Sequence, residues 1–296
     1  MVALTMWTGF LPLWVNLLCV LPGLPPGLSW QIEAGLLLGS RGVQYEISQT
    51  MGPLIVEANI LGLPDVGPTE VLPIPPGTLR VCKEEDACEE IEMQTFLMEH
   101  TEVTAAQFAT CLRAGKCQRK DVLLYSESDF CNLGATGRRN HPINCASFFA
   151  ARDYCTFIGR RLPTLHEWQY AARGEDRRKF PWGDTEPDCS IANAHGDEGR
   201  GCGTNTTWAV GSRGAGKSSF GMMDMGGNVM EWTSTIFELP DDDPQGETVP
   251  VEDNPRTKRN HMGGSFADAP HVQAIDFLCF DSMKAKNISL GFRCAD

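Results

Sequence analysis

The sequence predicts an α+β domain in which a few short helices sit among long irregular segments held by disulfides. Three observations carry that expectation. Three stretches begin with helix-capping residues, most cysteines fall in close pairs around loops, and glycine-rich turns replace regular periodicity beyond Gly174.

The elements follow in order. Val71 opens an apolar run, VLPIPPGTLRV, broken by a Pro-Pro-Gly turn, and the alternation in IEMQTFLMEHTEVT predicts one strand. Thr104 is the cap expected for AAQFATCLRAG, a short amphipathic helix stopped by Gly115. Ser147 heads a second helix, FFAARDYCTFIG, with Phe148, Ala151, Tyr154 and Cys155 on one stripe. Pro163-Thr164 opens a third, LHEWQYAARG, where Glu167 stands at the reciprocal third position of a capping box. From there to residue 296 the pattern is turns, short apolar runs and glycines, with no internal repeat.

At 296 residues, 42% hydrophobic and 21% charged, the chain has ordinary globular composition and room for one large domain or two small ones. A formal net charge of −13 argues against non-specific nucleic-acid binding and against docking on anionic lipid, both of which need basic surface. Twelve cysteines are too many for a reduced cytosolic protein of this length. Cys82 and Cys88, Cys111 and Cys117, Cys131 and Cys145, and Cys189 and Cys202 each span a short polar loop, which suits disulfides formed in an oxidising compartment. Zinc is the rival, but no CxxC and no histidine at ligand spacing accompanies these pairs.

Residues 1–25 hold an almost wholly apolar run from Met6 to Pro22 and are expected to be a signal peptide or N-terminal anchor, although the first basic residue is Arg41. Residues 26–69 are expected to be a linker with weak strand-like stretches, and 70–296 the main domain. The expected localisation is exported: periplasmic, cell-surface or secreted. Any membrane contact would run through an uncleaved N-terminal segment.

Six blocks in this domain resemble the formylglycine-generating-enzyme, or sulfatase-modifying-factor, family. They are EVTAAQF (Glu102 to Phe108), GRRLPTLHEWQYAARG (Gly159 to Gly174), FPWGD (Phe180 to Asp184), SSFGMMDMGGNVMEWTS (Ser218 to Ser234), GGSF (Gly263 to Phe266) and GFRC (Gly291 to Cys294). The paired-cysteine loops look most like those of bacterial exported members. The resemblance implies an elaborated C-type-lectin-like α+β fold. It also implies a disulfide between Cys155 and Cys294, worth a few kcal/mol because it closes a long loop. With those pairs made, Cys279 is left as a thiol flanked by Asp276 and Asp281.

The resemblance further implies a structural calcium ion held by Asp224, Gly227, Val229 and Glu231, a mix of carboxylates and carbonyls suited to that cation. A second calcium site of the family falls near Asn193 to Thr204, where the pattern is lost and the Cys189–Cys202 pair would staple the loop instead. Family enzymes bind copper(I) with two cysteines downstream of the GGS block, since that soft ion prefers sulfur. Here the first of those positions falls at Asp268 and the second near Gln273, so copper is not expected. Ser265 is retained, while Met230 replaces the tryptophan of the family's NVWEW. No catalytic residue is assigned, and Ser265, Asp268 and Cys279 are the candidates that remain. His261, Asp268 and His271 could form an iron(II) set, but nothing in the sequence fixes their geometry. The sulfoxide synthases of the family take iron ligands from a helical HxxxHxE element, and this sequence carries no such pattern.

Gly211 to Ser218, GSRGAGKS, fits the P-loop pattern, with Trp208-Ala209-Val210 as the strand it would need. Gly221, Gly226 and Gly227 deny it the following helix, so no nucleotide is expected. Asn205 and Asn287 begin glycosylation sequons, and Asp241, Asp242 and Asp243 lie in an acidic insertion that could add weak calcium binding. The function expected is a non-catalytic, exported module binding an unknown protein or glycan. The alternative is an oxygen-dependent, protein-modifying oxidase of the formylglycine type, acting on a sulfatase cysteine through an altered metal site.

Overall fold

A computed structural model describes residues 3–8, 11–16, 65–84, 87–237 and 257–296. Ala3–Thr8 (β1) and Leu11–Asn16 (β2) form an antiparallel pair with Ala3 opposite Asn16. The rest of the segment expected as signal peptide or anchor, most of 26–69, and the acidic stretch with Asp241 to Asp243 lie outside the described residues. No helix among the described residues is long and apolar enough to cross a membrane.

The second unit begins at Leu63. Gln107 Nε2 donates to the Gly67 carbonyl at 3.0 Å, and Val66 N donates to Thr110 Oγ1 at 3.1 Å. Contacts of the main domain therefore start a few residues ahead of the expected boundary at residue 70. Val71–Ile74 (β3) pairs antiparallel with Phe96–Glu99 (β6), while Gly77–Glu84 (β4) and Ala87–Met93 (β5) form a hairpin with Cys82 opposite Cys88. The single strand expected across IEMQTFLMEHTEVT is thus two strands. A break at Gln94-Thr95 lets the chain change partner, from β4 along β5 to β3 along β6.

Three helices follow as the caps require: Ala105–Arg113 (α1), Phe148–Phe157 (α2) and Leu165–Arg173 (α3). Thr104 Oγ1 accepts from Gln107 N at 3.2 Å while Gln107 Oε1 accepts from Thr104 N at 2.7 Å. Thr164 and Glu167 make the same reciprocal pair at 3.2 and 2.7 Å, so amides of each first turn find partners. Phe148, Ala151, Tyr154 and Cys155 are all buried.

A four-stranded sheet in the order β10-β7-β8-β9 closes the domain. Its strands are Met230–Ile236 (β7), Lys258–Met262 (β8), Cys279–Ser282 (β9) and Leu290–Gly291 (β10), with β10 parallel to β7 and the other pairs antiparallel. The sequence hid this sheet for a physical reason. The first four residues of β7 are all buried, so no inside–outside alternation marks them. Trp168, Tyr154, Phe108, Phe180, Trp232, Phe266 and Phe292 are fully buried. The α+β architecture expected from the sequence is the one observed.

Five disulfides join Cys82–Cys88, Cys111–Cys117, Cys131–Cys145, Cys155–Cys294 and Cys189–Cys202, the pairs read from the sequence and the resemblance. An oxidising compartment is where such bonds persist. The residues after β10 run between distant parts of the chain: Glu99 N donates to Cys294 O at 2.9 Å, Ala295 N to Arg161 O at 2.7 Å, and Asp296 N to Leu97 O at 2.9 Å. Cys155–Cys294 locks that arrangement across a separation of 139 residues, against 6 for Cys82–Cys88. On loop-closure entropy the long bridge contributes about 5 kcal/mol and the short one about 2 kcal/mol. Replacing Cys155 and Cys294 by alanine is therefore expected to lower the urea midpoint far more than replacing Cys82 and Cys88. Equal losses would show that native-state contacts, not loop closure, set the effect.

Candidate functional site

The segment from Met223 to Glu231 turns sharply before entering β7. Asp224 and Asn228 adopt left-handed φ values of 57° and 63°, which side chains other than glycine reach at a cost. Gly227, at φ 87°, sits where a Cβ would lie 2.6 Å from the Asn193 carbonyl oxygen, so only glycine fits. The turn is tied to the GGSF segment, since Gly227 N donates to Gly263 O at 2.8 Å and Phe266 N to Asn228 O at 2.9 Å. Asn228 organises the interior: its Oδ1 accepts from Trp208 N at 2.8 Å and its Nδ2 donates to Glu102 Oε2 at 2.8 Å. Glu102 Oε1 accepts from Val229 N at 3.1 Å.

Behind the turn lies a buried ion pair. Arg293 Nη2 and Nε donate to the two oxygens of Glu231 at 2.6 and 2.7 Å, and Trp168 Nε1 adds a third bond to Glu231 at 2.8 Å. The two charged side chains are 0% and 1% exposed. Burial pushes Glu102 well above the usual carboxylate range, and repulsion from Asp224 and Glu231 adds to it. Burial raises Asp224 as well, against the Gly211 amide that donates to it at 2.5 Å.

This geometry bears on the four residues expected to hold calcium. Asp224, Gly227, Val229 and Glu231 do share one turn, but both Glu231 oxygens are committed to Arg293 and Trp168, so Glu231 does not fit as a ligand. Among the described residues no group of three or more His, Cys, Asp or Glu could hold a metal ion. What a cation would relieve is the repulsion of Glu102 by Asp224 and Glu231, which the single guanidinium Arg293 only partly offsets.

The second cluster lies after the paired glycines Gly263 and Gly264. Ser265 donates to the Asp268 carboxylate, and Ala267 N donates to Ser265 Oγ at 3.2 Å. Asp268 O accepts from His195 N at 2.9 Å, which ties the loop to the segment stapled by Cys189–Cys202. Cys279, on edge strand β9 opposite His261, is the free cysteine among the described residues. Burial pushes its thiol up, and the Asp268 and Asp281 carboxylates add to that. Gln273 is fully buried, and neither its Oε1 nor its Nε2 has a partner. The iron set is not assembled: His261 is buried in β8 and driven down to about 4 by burial, whereas His271 is exposed in a short 3-10 turn. At Gly211 to Ser218, Trp208-Ala209-Val210 forms no strand, and Gly214–Gly216 is a single 3-10 turn with no helix after it.

Residues 63–296 match the model of the sulfatase-modifying factor enzyme 1-like domain. The chain belongs to this family. Among relatives, hercynine oxygenase of Mycolicibacterium smegmatis is 32% identical over 166 residues, covering 53% of this chain and 37% of the relative. Formylglycine-generating enzyme of Mycobacterium tuberculosis is 40% identical over 106 residues, covering 34% of this chain and 35% of the relative. The chain thus spans little more than a third of the length of these two relatives. In fold it is similar to PvdO from Pseudomonas aeruginosa, with a TM-score of 0.59 at 19% identity, covering 77% of this chain and 94% of that one. CarF gives 0.55 at 20% identity, covering 77% and 98%.

Within this sulfatase-modifying-factor domain, sequence reasoning missed Glu102, Asn228, Trp168 and Arg293 as one network. The available signal was the recurrence of charged residues inside otherwise apolar blocks, Glu102 in EVTAAQF and Arg293 in GFRC. A neighbouring acid gives a test. Burial outweighs the Cys294 amide and the Arg160 ion pair at 3.0 Å and raises Glu99 from 4.5 to about 7. Below pH 4.5 both folded and unfolded chains hold this proton. Between 4.5 and 7 only the folded chain does, so stability falls as pH rises through that window, by ~3 kcal/mol in all. Urea unfolding across pH 4.5 to 7.5 should show this fall, and Glu99→Gln should flatten its share. An unchanged slope in that variant would assign the effect to other groups.

Proposed function

We propose that this chain is an exported, non-catalytic member of the sulfatase-modifying-factor family, a disulfide-braced scaffold that binds a protein or glycan partner. The observation that carries this reading is the pair Asp268 and Gln273, which stand where the family's copper cysteines are expected. The first is engaged as a carboxylate by Ser265, and the second is a fully buried amide. A carboxylate and an amide are hard ligands that offer copper(I) little affinity. Cys279 does not restore the pair, being the single free thiol among the described residues. Export is supported by the five disulfides and by the apolar run from Met6 to Pro22.

A structural calcium ion belongs to the same proposal, in a narrower form than the sequence suggested. Asp224 and the carbonyls of Gly227 and Val229 would hold it, with Glu231 serving Arg293 instead. Its support is the turn itself, which brings the Asp224 carboxylate together with backbone carbonyls, and the repulsion among Asp224, Glu102 and Glu231, which a bound cation would relieve. Calcium at one hundred times its Kd would stabilise the fold by about 2.7 kcal/mol. The expected result is a rise in Tm of a few degrees, reversed by chelator and lost in Asp224→Asn. No rise in the parent protein would remove calcium from the proposal.

One observation favours a second reading, the formylglycine-type oxidase with an altered metal site: Ser265 donates to Asp268, and the Asp268 charge acts on the Cys279 thiol. Oxygen uptake by the copper-loaded protein with a cysteine-containing sulfatase peptide separates the two. The binding-module reading expects none above the no-protein rate. Turnover abolished by Cys279→Ser would establish the oxidase instead.

A further inference from the structure

Among the described residues β9 is an edge of the sheet β10-β7-β8-β9. Three of the five large apolar side chains exposed among those residues, Phe277, Leu278 and Phe280, fall on or just before it, at 38 to 42%. Phe237 stacks on the Phe280 ring with 3.8 Å between centroids, so the exposed ring is held in position. Met283 N donates to Thr257 O at 3.4 Å, which extends a ladder where Arg259 faces Asp281 and His261 faces Cys279. Hydrogen-bonded pairs alternate along an antiparallel ladder. Cys279 and Asp281 therefore turn their backbone groups to β8, and Leu278 and Phe280 turn theirs to the open edge. Neither proline nor lysine stands between Phe277 and Phe280 to block a further strand.

The cysteine at the centre of this stretch selects what covers it. Ten of the twelve cysteines are in disulfides, Cys19 lies outside the described residues, and Cys279 is free. A second copy laid antiparallel, with Leu278 opposite the copy's Phe280, meets the outward backbone groups of both strands. It also makes two apolar cross-strand pairs. The two-fold axis then passes between the two Cys279 residues. They face each other as a non-hydrogen-bonded pair, with Cα atoms about 4.5 Å apart, inside the range a disulfide spans. Cys82 and Cys88 already form such a bond across directly opposed strand positions. Asp281 faces the copy's Phe277 in this register, so no like charges meet.

We propose that β9 pairs with β9 of a second copy of this chain and that a disulfide between the two Cys279 residues locks the dimer. So short a strand covers far less than the roughly 800 Å2 per partner of a stable non-covalent dimer, and the covalent bond makes up the difference. Two Cys279 thiols and one small-molecule disulfide, such as oxidised glutathione, give the intermolecular disulfide and two small thiols. The bond between the Cys279 sulfurs forms, the oxidant's S–S bond breaks, and its sulfurs take the two electrons and two protons. Burial raises the Cys279 thiol, and Asp268 and Asp281 add to that, so strand pairing supplies the proximity that its slow attack needs. The oxidant rests on the exported reading of this chain.

The test treats the full chain with oxidised glutathione, then follows it on non-reducing gels and by mass mapping. A covalent dimer joined Cys279 to Cys279 is expected, and Cys279→Ser should not form it. Phe280→Lys and Leu278→Lys keep the thiol but charge the edge, and each should slow dimer formation about tenfold. Both side chains are exposed, so an unchanged Tm is expected, and if one variant loses its fold the other decides. Dimer formation at the parent rate in the lysine variants would mark an adventitious surface thiol and overturn the strand pairing. A stable glutathione adduct, a Cys19–Cys279 bond within one chain, or no dimer would overturn the proposal as well. Failure to dimerise with all five internal disulfides intact sinks this inference alone, whereas their absence from the protein as isolated would count against export.

Discussion

The pairing of Arg293 with Glu231 is the interaction on which the rest of the domain depends. A buried ion pair is costly to desolvate and is stable only when every donor and acceptor is met. Here that condition holds in full. The guanidinium has five N–H groups, and these reach both Glu231 oxygens and the carbonyls of Glu99, His100 and Met223. Trp168 completes Glu231. Through these bonds one side chain joins the end of β6, the Met223 turn, β7, α3 and the segment after β10. A lysine, with three donors and no fork, could not replace it.

The same network accounts for why the glycine-rich turn keeps its shape. Gly227 and Asn228 are fixed from below by Asn193, Trp208 and Glu102, and from the side by Gly263 and Phe266. Those bonds use backbone groups and buried side chains that belong to the fold. Ser265 and Asp268 follow the same glycines; their side chains bond to one another, and the Asp268 carbonyl reaches the His195 amide.

Much of this architecture was legible in the sequence where the signal is local. Thr104, Ser147 and Thr164 announce their helices through caps, and Cys82, Cys111, Cys131 and Cys189 announce their loops through nearby partners. What escaped is non-local or uniformly buried. β7 has no alternating face to read, and β5 and β6 looked like one strand because their exchange of partners leaves no mark on hydrophobic period. Glu231 was legible as a carboxylate beside a turn, but its partner is 62 residues away in sequence, so its commitment to Arg293 was not.

The residues after β10 lie between Leu97 and Arg161, with the carbonyls and amides of Cys294 to Asp296 filling both sides. The oldest part of the nascent domain thus waits for its youngest. β6, α2 and the start of α3 emerge from the ribosome roughly 130 or more residues before the strip that knits them together, with their apolar faces unmatched in the interval. Such a domain cannot mature vectorially. Its closure is a single late event after residue 294 has been made, and until then both Cys155 and the pocket for Arg293 stand open to the wrong partner. Proofreading of that one knot, by a holding chaperone or a disulfide isomerase, is the demand this topology places on the cell that makes it.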